Sequence, residues 1–304
     1  MGIEEFAEEI VKLLTEKLGN GHKVKVIEVL KNNGVVWHGI NILEEGRKVC
    51  PCIYVDGYYE GYKNGCLQME NIAEDIMEDI IADSREGAEE FDSTLFEEYG
   101  KAEPRLRGKL VNTEKNCEML KGMPHREFLD LSLIYYVEIC MNHRGLGSIL
   151  VKNEYMEKWC RDEEELYRAV MENMERENDG MVQELMQMVA QIMGVEEPVD
   201  EIGGEGVNLY VLTNKKRING AVWMMDKKLL REAFRRVKKD FLILPSSINE
   251  VLLAPVEKER YEERLAEIAK MVRIVNDTQV DETEILSYHV YRYYADTEEV
   301  AIVA

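Results

Sequence analysis

The chain has 304 residues, enough for two domains or one large one, and its 45% apolar and 32% charged composition is that of a folded globular protein rather than a disordered one. A net charge of −22 at pH 7 opposes direct binding to nucleic-acid phosphates or anionic lipid and favours basic partners. Six scattered cysteines with no Cys-x-x-Cys pair fit a reduced, cytoplasmic chain, the acidic start lacks the form of a secretory signal, and no apolar run approaches a membrane span.

Ile3, Phe6, Ile10, Leu13 and Leu14 recur at helical spacing and predict a helix over residues 3–18, ended by Gly19-Asn20-Gly21. Strands follow at residues 23–30, 35–43 and 48–55. Asn32-Asn33-Gly34 and Glu44-Glu45-Gly46 are the turns between them. Tyr58-Tyr59-Glu60-Gly61-Tyr62 reads as a glycine- and tyrosine-rich loop. Met69, Ile72, Ala73, Ile76, Met77, Ile80 and Ile81 then mark an amphipathic helix, with Glu70, Glu74, Asp75, Glu78 and Asp79 on its other face. Residues 91–99 suggest a short helix, 105–111 and 129–139 strands, 144–148 a turn and 149–151 a strand. Residues 154–193 read as mostly helix, broken at Asn178-Asp179-Gly180. Residues 194–206 combine Pro198, the cluster Gly203-Gly204-Glu205-Gly206 and five acidic residues, and form the expected linker.

Residues 208–213 predict a strand and 220–224 a small apolar piece. Asp226 is placed to cap a helix running to residue 239, with Leu229, Leu230, Ala233, Phe234 and Val237 inward. Its outward face carries Lys227, Lys228, Arg231, Arg235, Arg236, Lys238 and Lys239. Residues 240–255 hold two apolar runs around Pro245-Ser246-Ser247, a strand-turn-strand unit. Tyr261, Leu265, Ile268, Val272 and Val275 place a further helix ending near Asn276-Asp277. Residues 285–293 and 299–303 suggest a terminal hairpin. The fold class is α+β: an N-terminal helix plus antiparallel meander, an acidic helical middle and a C-terminal α/β module. The expected domains are 1–193 and 207–304, joined by 194–206.

The acidic excess is uneven along the chain. Residues 1–206 carry 44 acidic and 22 basic residues, and residues 207–304 carry 16 of each. The stretch from Glu70 to Glu103 is the densest, so the helix face of Glu70, Glu74, Asp75, Glu78 and Asp79 is the candidate acidic binding face, weighed against a solvated face that only confers solubility. The basic helix at 226–239 reads first as a solvated face, second as a surface that docks on the acidic two-thirds, and last as a nucleic-acid binder.

Recognisable catalytic arrangements are missing. Gly203-Gly204-Glu205-Gly206 precedes a strand and is ringed by acids, the opposite of a phosphate loop. Cys50-Pro51-Cys52, with His38 and Cys66, has poor spacing for zinc, and alternation puts both cysteines on one strand face. No cofactor or metal is therefore expected. Ser246 and Ser247 lack a Gly-x-Ser-x-Gly elbow or a Ser-x-x-Lys partner. Ser247-Ile-Asn-Glu250 has the form of a capping box, but strand-like residues follow, so a turn held by hydroxyl-to-backbone bonds fits better. Pro245, Ser246, Ser247, Asn249 and Glu250 are the candidate functional turn.

Val35-Val-Trp-His-Gly39, Tyr54-Val-Asp-Gly-Tyr58, Leu209-Tyr-Val-Leu-Thr-Asn214, Gly220-Ala-Val-Trp223, Leu242-Ile-Leu-Pro-Ser-Ser-Ile-Asn-Glu-Val251, Val275-Asn276 and Val290-Tyr291 resemble a domain-of-unknown-function family of Gram-positive gut bacteria, often carried on mobile elements. The last third is also similar, more faintly, to a YtpQ-like bacterial family. The resemblance implies a His where Asn249 stands, which argues against a catalytic base at that position. It brings no activity with it.

Three functions are compatible with these features. The leading one is a non-enzymatic interaction protein of the cytoplasm, serving a mobile element and taking a basic protein as partner. The second is an acidic DNA mimic that inhibits a nucleic-acid-binding enzyme. The third is an enzyme of unfamiliar type with its site near residues 245–250.

Overall fold

The computed structural model describes residues 1–44, 52–85, 93–142, 145–194, 208–256 and 261–304. The fold is α+β, and three antiparallel sheets are present among the described residues. The chain divides into two compact units, Met1–Ser93 and Thr94–Ala304. Among the described residues no helix is long and apolar enough to cross a membrane.

The first unit runs α1 (Ile3–Leu18), β1 (His22–Leu30), β2 (Val36–Glu44), β3 (Cys52–Tyr54), α2 (Asp56–Lys63) and α3 (Met69–Arg85). The strands form the expected meander in the order β1-β2-β3. Asn33 and Gly34, at φ 62° and 76°, turn the chain between β1 and β2, a left-handed backbone that Asn and Gly tolerate best. Phe6, Ala7, Ile10 and Leu14 of α1 pack against Ile40 and Ile42 of β2 and Ile72, Ala73 and Ile76 of α3. Alternation in β2 and the 3.6-residue period in both helices produce this core.

Residues 58–62 correct the sequence reading, since they are helical and belong to α2 rather than to a loop. Two glycines lower helix propensity there, but the tyrosine rings are spaced to reach the core. Tyr59 and Tyr62 lie with ring centroids 5.4 and 5.3 Å from Phe6. Aromatic burial outweighs the roughly 1 kcal/mol per glycine against the helix. Of the strand expected at 48–55, residues 48–51, including Cys50 and Pro51, lie outside the described residues.

The second unit begins with α4 (Tyr99–Ala102), β4 (Leu106–Asn112), α5 (Cys117–Leu120), β5 (His125–Phe128), β6 (Leu131–Asn142) and β7 (Gly145–Leu150). It continues with α6 (Asn153–Trp159), α7 (Glu163–Glu177), β8 (Gly180–Glu184) and α8 (Leu185–Met193). The remainder is β9 (Tyr210–Asn214), a 3-10 turn (Gly220–Met225), α9 (Lys227–Val237), β10 (Phe241–Leu244), β11 (Val251–Pro255), α10 (Tyr261–Gln279), β12 (Tyr291–Tyr294) and β13 (Glu299–Ile302).

Two sheets organise it. One holds β4, β6 and β5 in that order, with β7 also on β6, and the other runs β13-β12-β10-β11-β9-β8. The middle of the chain is therefore less helical than its sequence suggests. β5 and β8 are additions, and β7 starts at Gly145, inside the stretch that reads as a turn. β8 is five residues long and pairs with β9 across the segment 195–207, a non-local partner that no local pattern announces. The linker expected at 194–206 lies, save Gly194, outside the described residues, and the strands on its two sides both belong to the second unit. The terminal hairpin is present as β12 and β13.

Phe241 and Ile243 of β10 face a core shared with Leu110, Leu133, Tyr135, Val170, Leu253 and Tyr291. Leu242 and Leu244 face the opposite way, toward Val272 and Ile268 of α10. A strand covered on both faces reads as an unbroken apolar run, which is why 241–244 shows no alternation. Asp226 caps α9 as expected, its side chain accepting from the Leu229 N–H at 2.8 Å. Arg126 of β5 ties to α7 through Glu163, with N–O distances of 3.0 and 2.8 Å.

Candidate functional site

The turn at 245–250 connects β10 to β11 and is closed by its own polar groups. Ser247 Oγ accepts from the Asn249 N–H at 3.0 Å, and the Ser247 N–H donates to the Glu250 carbonyl at 3.1 Å. This is a hydroxyl-to-backbone turn. Pro245 and Ser247 are buried, Ser246 is half-buried, and no cis peptide occurs among the described residues.

Asn249 links this turn to the loop after β9. Its Oδ1 accepts from the Asn219 N–H at 3.0 Å, and its Nδ2 donates to Glu284 Oε1 at 3.0 Å. The Asn249 carbonyl accepts from Thr213 Oγ1 at 2.7 Å. The two segments approach so closely that a Cβ at Gly220 would sit 2.5 Å from the Asn249 carbonyl oxygen and 2.8 Å from the Asn214 nitrogen. Only glycine fits there. Arg217 and Asn219 hold φ of 55° and 53° in this loop. Left-handed backbone at a non-glycine residue persists where surrounding bonds enforce it. The Asn214 side chain supplies two of those bonds, donating to the Ile218 carbonyl at 2.9 Å and accepting from the Ile218 N–H at 3.3 Å.

Glu250 is the perturbed group of the turn. Burial pushes its carboxyl above the ordinary range, Glu284 adds to the rise, and Arg217 offsets part of it. Glu250 of the turn thus feels one further carboxyl, Glu284 from the segment before β12, and one guanidinium, Arg217 from the loop after β9.

On the other side of the 214–219 loop lies a cleft of about 30 Å³, room for about two water molecules. Arg107, Tyr136, Glu138, Asp179, Lys216, Asn219 and Trp223 are among its lining residues. Lys216 Nζ donates to both oxygens of Glu138 at 2.8 and 2.9 Å. Arg107 bonds Glu177 and the carbonyls of Pro104 and Leu106. Burial raises the Tyr136 hydroxyl to about 12, against a hydrogen bond from the Asn219 side chain that works the other way. The Trp223 ring lies where a Cβ on Gly180 would be, 2.4 Å from its nearest atom. Lys216 pairs with Glu138 and Arg107 with Glu177, so the cleft is a braced polar seam rather than a substrate-sized cavity.

None of Pro245, Ser246, Ser247, Asn249 and Glu250 lines this cleft. They stand behind it, and Asn249 positions the loop that does line it. The cleft residues themselves escape sequence reasoning. Arg107, Tyr136, Glu138 and Lys216 come from β4, β6 and the loop after β9, and no spacing links them.

The acidic face of α3 is exposed at Glu70, Glu74, Asp75, Glu78 and Asp79. Glu74 reaches Lys17 of α1 at 3.0 Å. The Tyr58 hydroxyl is raised by burial, then by Asp79 and Asp75. The basic face of α9 partly docks within its own unit. Lys228 pairs with Glu175, Arg236 donates to the Val182 carbonyl, and Arg231 lies 3.3 Å from Glu298. Glu175 and Val182 belong to the acidic two-thirds, so docking contributes alongside solvation. Among the described residues no group of His, Cys, Asp or Glu side chains is placed to hold a metal ion. Gly203 to Gly206 and Cys50 lie outside the described residues.

No curated protein and no solved structure matches the chain. One family profile does, over residues 3–295, which is nearly the whole length. The chain belongs to that family, DUF5688, a family of unknown function.

Proposed function

We propose that the protein is a non-enzymatic interaction protein of the cytoplasm that takes a basic protein as partner through the acidic face of α3. The observation that carries this is the exposed row Glu70, Glu74, Asp75, Glu78 and Asp79 on one helix. Nine helical steps separate the first from the last, about 14 Å at 1.5 Å per residue, or one carboxylate per about 3 Å. A single nucleic-acid strand carries one phosphate per about 3.4 Å of axis. Spread over about half of the helix circumference, these carboxylates match phosphates in average axial density, and that density is the support for the sharper form of the reading, a DNA mimic that occupies the basic groove of a nucleic-acid-binding enzyme. The mobile-element setting implied by the family resemblance agrees with a defence nuclease as that enzyme.

The charge distribution supports the same surface. Met1–Ser93 carries 20 acidic and 9 basic residues, a net of −11, while Thr94–Ala304 carries 40 and 29, also −11 over more than twice the length. The first unit is thus about twice as densely acidic. The test is affinity capture from host lysate with and without nuclease, comparing the natural protein with a triple variant, Glu70→Gln, Glu74→Gln and Glu78→Gln. A basic protein held at low salt, released at high salt and missed by the triple variant supports the proposal. Capture that survives charge removal, or that vanishes with nuclease, refutes it.

A second reading has one observation in its favour. Glu250, with its raised carboxyl beside Glu284 and Arg217, is the kind of perturbed group found at sites of chemistry. On that reading residues 245–250 serve a small-molecule reaction, and Glu250→Gln abolishes any turnover found by substrate screening while leaving the fold intact.

A further inference from the structure

Asp130 lies in the turn between β5 and β6, and its side chain is 16% exposed. Three donors converge on its carboxylate. Oδ2 accepts from Ser287 Oγ at 2.6 Å and from His289 Nδ1 at 2.9 Å, and Oδ1 accepts from the Tyr291 hydroxyl at 2.8 Å. Ser287 Oγ also accepts from the His289 N–H at 3.0 Å, and Asn276 Nδ2 donates to the Ser287 carbonyl at 2.8 Å.

Ser287 and Tyr291 are buried, and their bonds already tie this segment to the β5–β6 turn. His289 is different, because its side chain is 49% exposed. A carboxylate oxygen can only accept, so Nδ1 carries the proton and the neutral ring presents the lone pair of Nε2. Among the described residues nothing is hydrogen-bonded to Nε2. The exposed half of the ring is thus held in one tautomer and one orientation without serving the fold.

We propose that His289 is a nucleophilic histidine that accepts a phosphoryl group at Nε2 from a small activated phosphoryl donor, with Asp130 as its positioning residue. The Nε2 lone pair forms the new N–P bond while the bond from phosphorus to the leaving group breaks. With a phosphoramidate donor, ammonia departs with the bonding pair. The ring becomes positively charged as this happens, and the Asp130 carboxylate opposes that charge through Nδ1–H. Tyr288, the preceding residue, carries Lys115 Nζ at 4.9 Å and Arg273 Cζ at 5.1 Å from its ring centroid, and its hydroxyl donates to Asp277. This inference goes beyond the partner-binding reading and does not depend on it.

The chain supplies its own controls. His38 has the same pairing, Nδ1 to Asp56 Oδ1 at 3.1 Å, but its side chain is only 13% exposed. His125 is exposed, but its Nδ1 meets the Met123 carbonyl at 3.0 Å, a neutral partner. The experiment is incubation of the whole protein with potassium phosphoramidate, followed by site-resolved mass spectrometry for acid-labile phosphate. The expected result is labelling at His289 about tenfold faster than at His125, with His38 unlabelled. Asp130→Asn brings His289 down to the rate of His125, and ¹⁵N shifts of the ring report loss of the single tautomer. Equal rates at His289 and His125 in the natural protein, a comparison that needs no variant, would overturn the proposal. So would an undiminished rate in a folded Asp130→Asn protein.

Discussion

Replacing Asn249 by Ala isolates the bond system that joins the 245–250 turn to the 214–219 loop. The substitution leaves the backbone bonds of residue 249 in place, those with Ser247 Oγ and Thr213 Oγ1. It removes two side-chain bonds. The Asn219 N–H loses its acceptor at 3.0 Å on a residue only 9% exposed, and Glu284 Oε1 loses a donor at 3.0 Å. An orphaned buried N–H costs about 1–3 kcal/mol, and a bond to a charged group about 1.5–3 kcal/mol, the low end applying to the half-buried Glu284. The sum is about 3 kcal/mol, which for a unit of this size lowers Tm by about 9 °C. The assay is urea unfolding followed by circular dichroism and tryptophan emission, since Trp223 stands beside the loop. Ser246→Ala, which disturbs none of these bonds, is the control and shifts stability by less than about 0.5 kcal/mol. Asn249→Asp separates the two lost bonds, because it keeps an acceptor for Asn219 but places a third carboxylate beside Glu284 and Glu250. It is therefore destabilised more at neutral pH than at pH 4. A loss below about 1 kcal/mol in Asn249→Ala would falsify the bracing role.

Gly220→Ala forces a Cβ to within 2.5 Å of the Asn249 carbonyl oxygen, a backbone atom that cannot swing aside, and loses roughly 3 kcal/mol by the same unfolding measurement. Glu250 sets a pH dependence of definite sign. Its folded carboxyl is raised, so the native state binds more protons than the unfolded one, and stability falls as pH rises from the ordinary value of 4.5 through the folded value. Glu250→Gln removes that decline, and a slope unchanged from the natural protein contradicts the assignment. Lys31 Nζ lies 3.8 Å from the Tyr54 ring centroid and 4.8 Å from that of Trp37. Lys31→Ala should cost the first unit about 0.5–1 kcal/mol and shift Trp37 emission, and an unchanged spectrum would show that the amine does not rest on the rings.

Periodic segments of the chain were legible because their signal is local. The residues of α1, the amphipathic α3, the Asp226 cap of α9 and the strands around Pro245 all carry their partners within a few positions. Residues 58–62 misled because Gly57 and Gly61 lower propensity, while the decisive contacts, Tyr59 and Tyr62 on Phe6, bridge more than fifty residues. The candidate turn could be picked out as a turn, but not its work. Asn249 meets Asn219 and Glu284 only because β9, β11 and the chain before β12 come together.

Composition and pattern alone therefore determined the fold class, the elements with clear periodicity and the acidic face of α3, since each depends on residues within one or two turns of the chain. Tertiary structure alone decided the rest. It paired β8 with β9 across residues 195–207, drew Arg107, Glu138 and Lys216 into one seam, and set His289 on Asp130 from 159 positions away. A carboxylate and an imidazole that far apart share no periodicity, and closing the intervening chain depends on the burial of the whole core rather than on either residue.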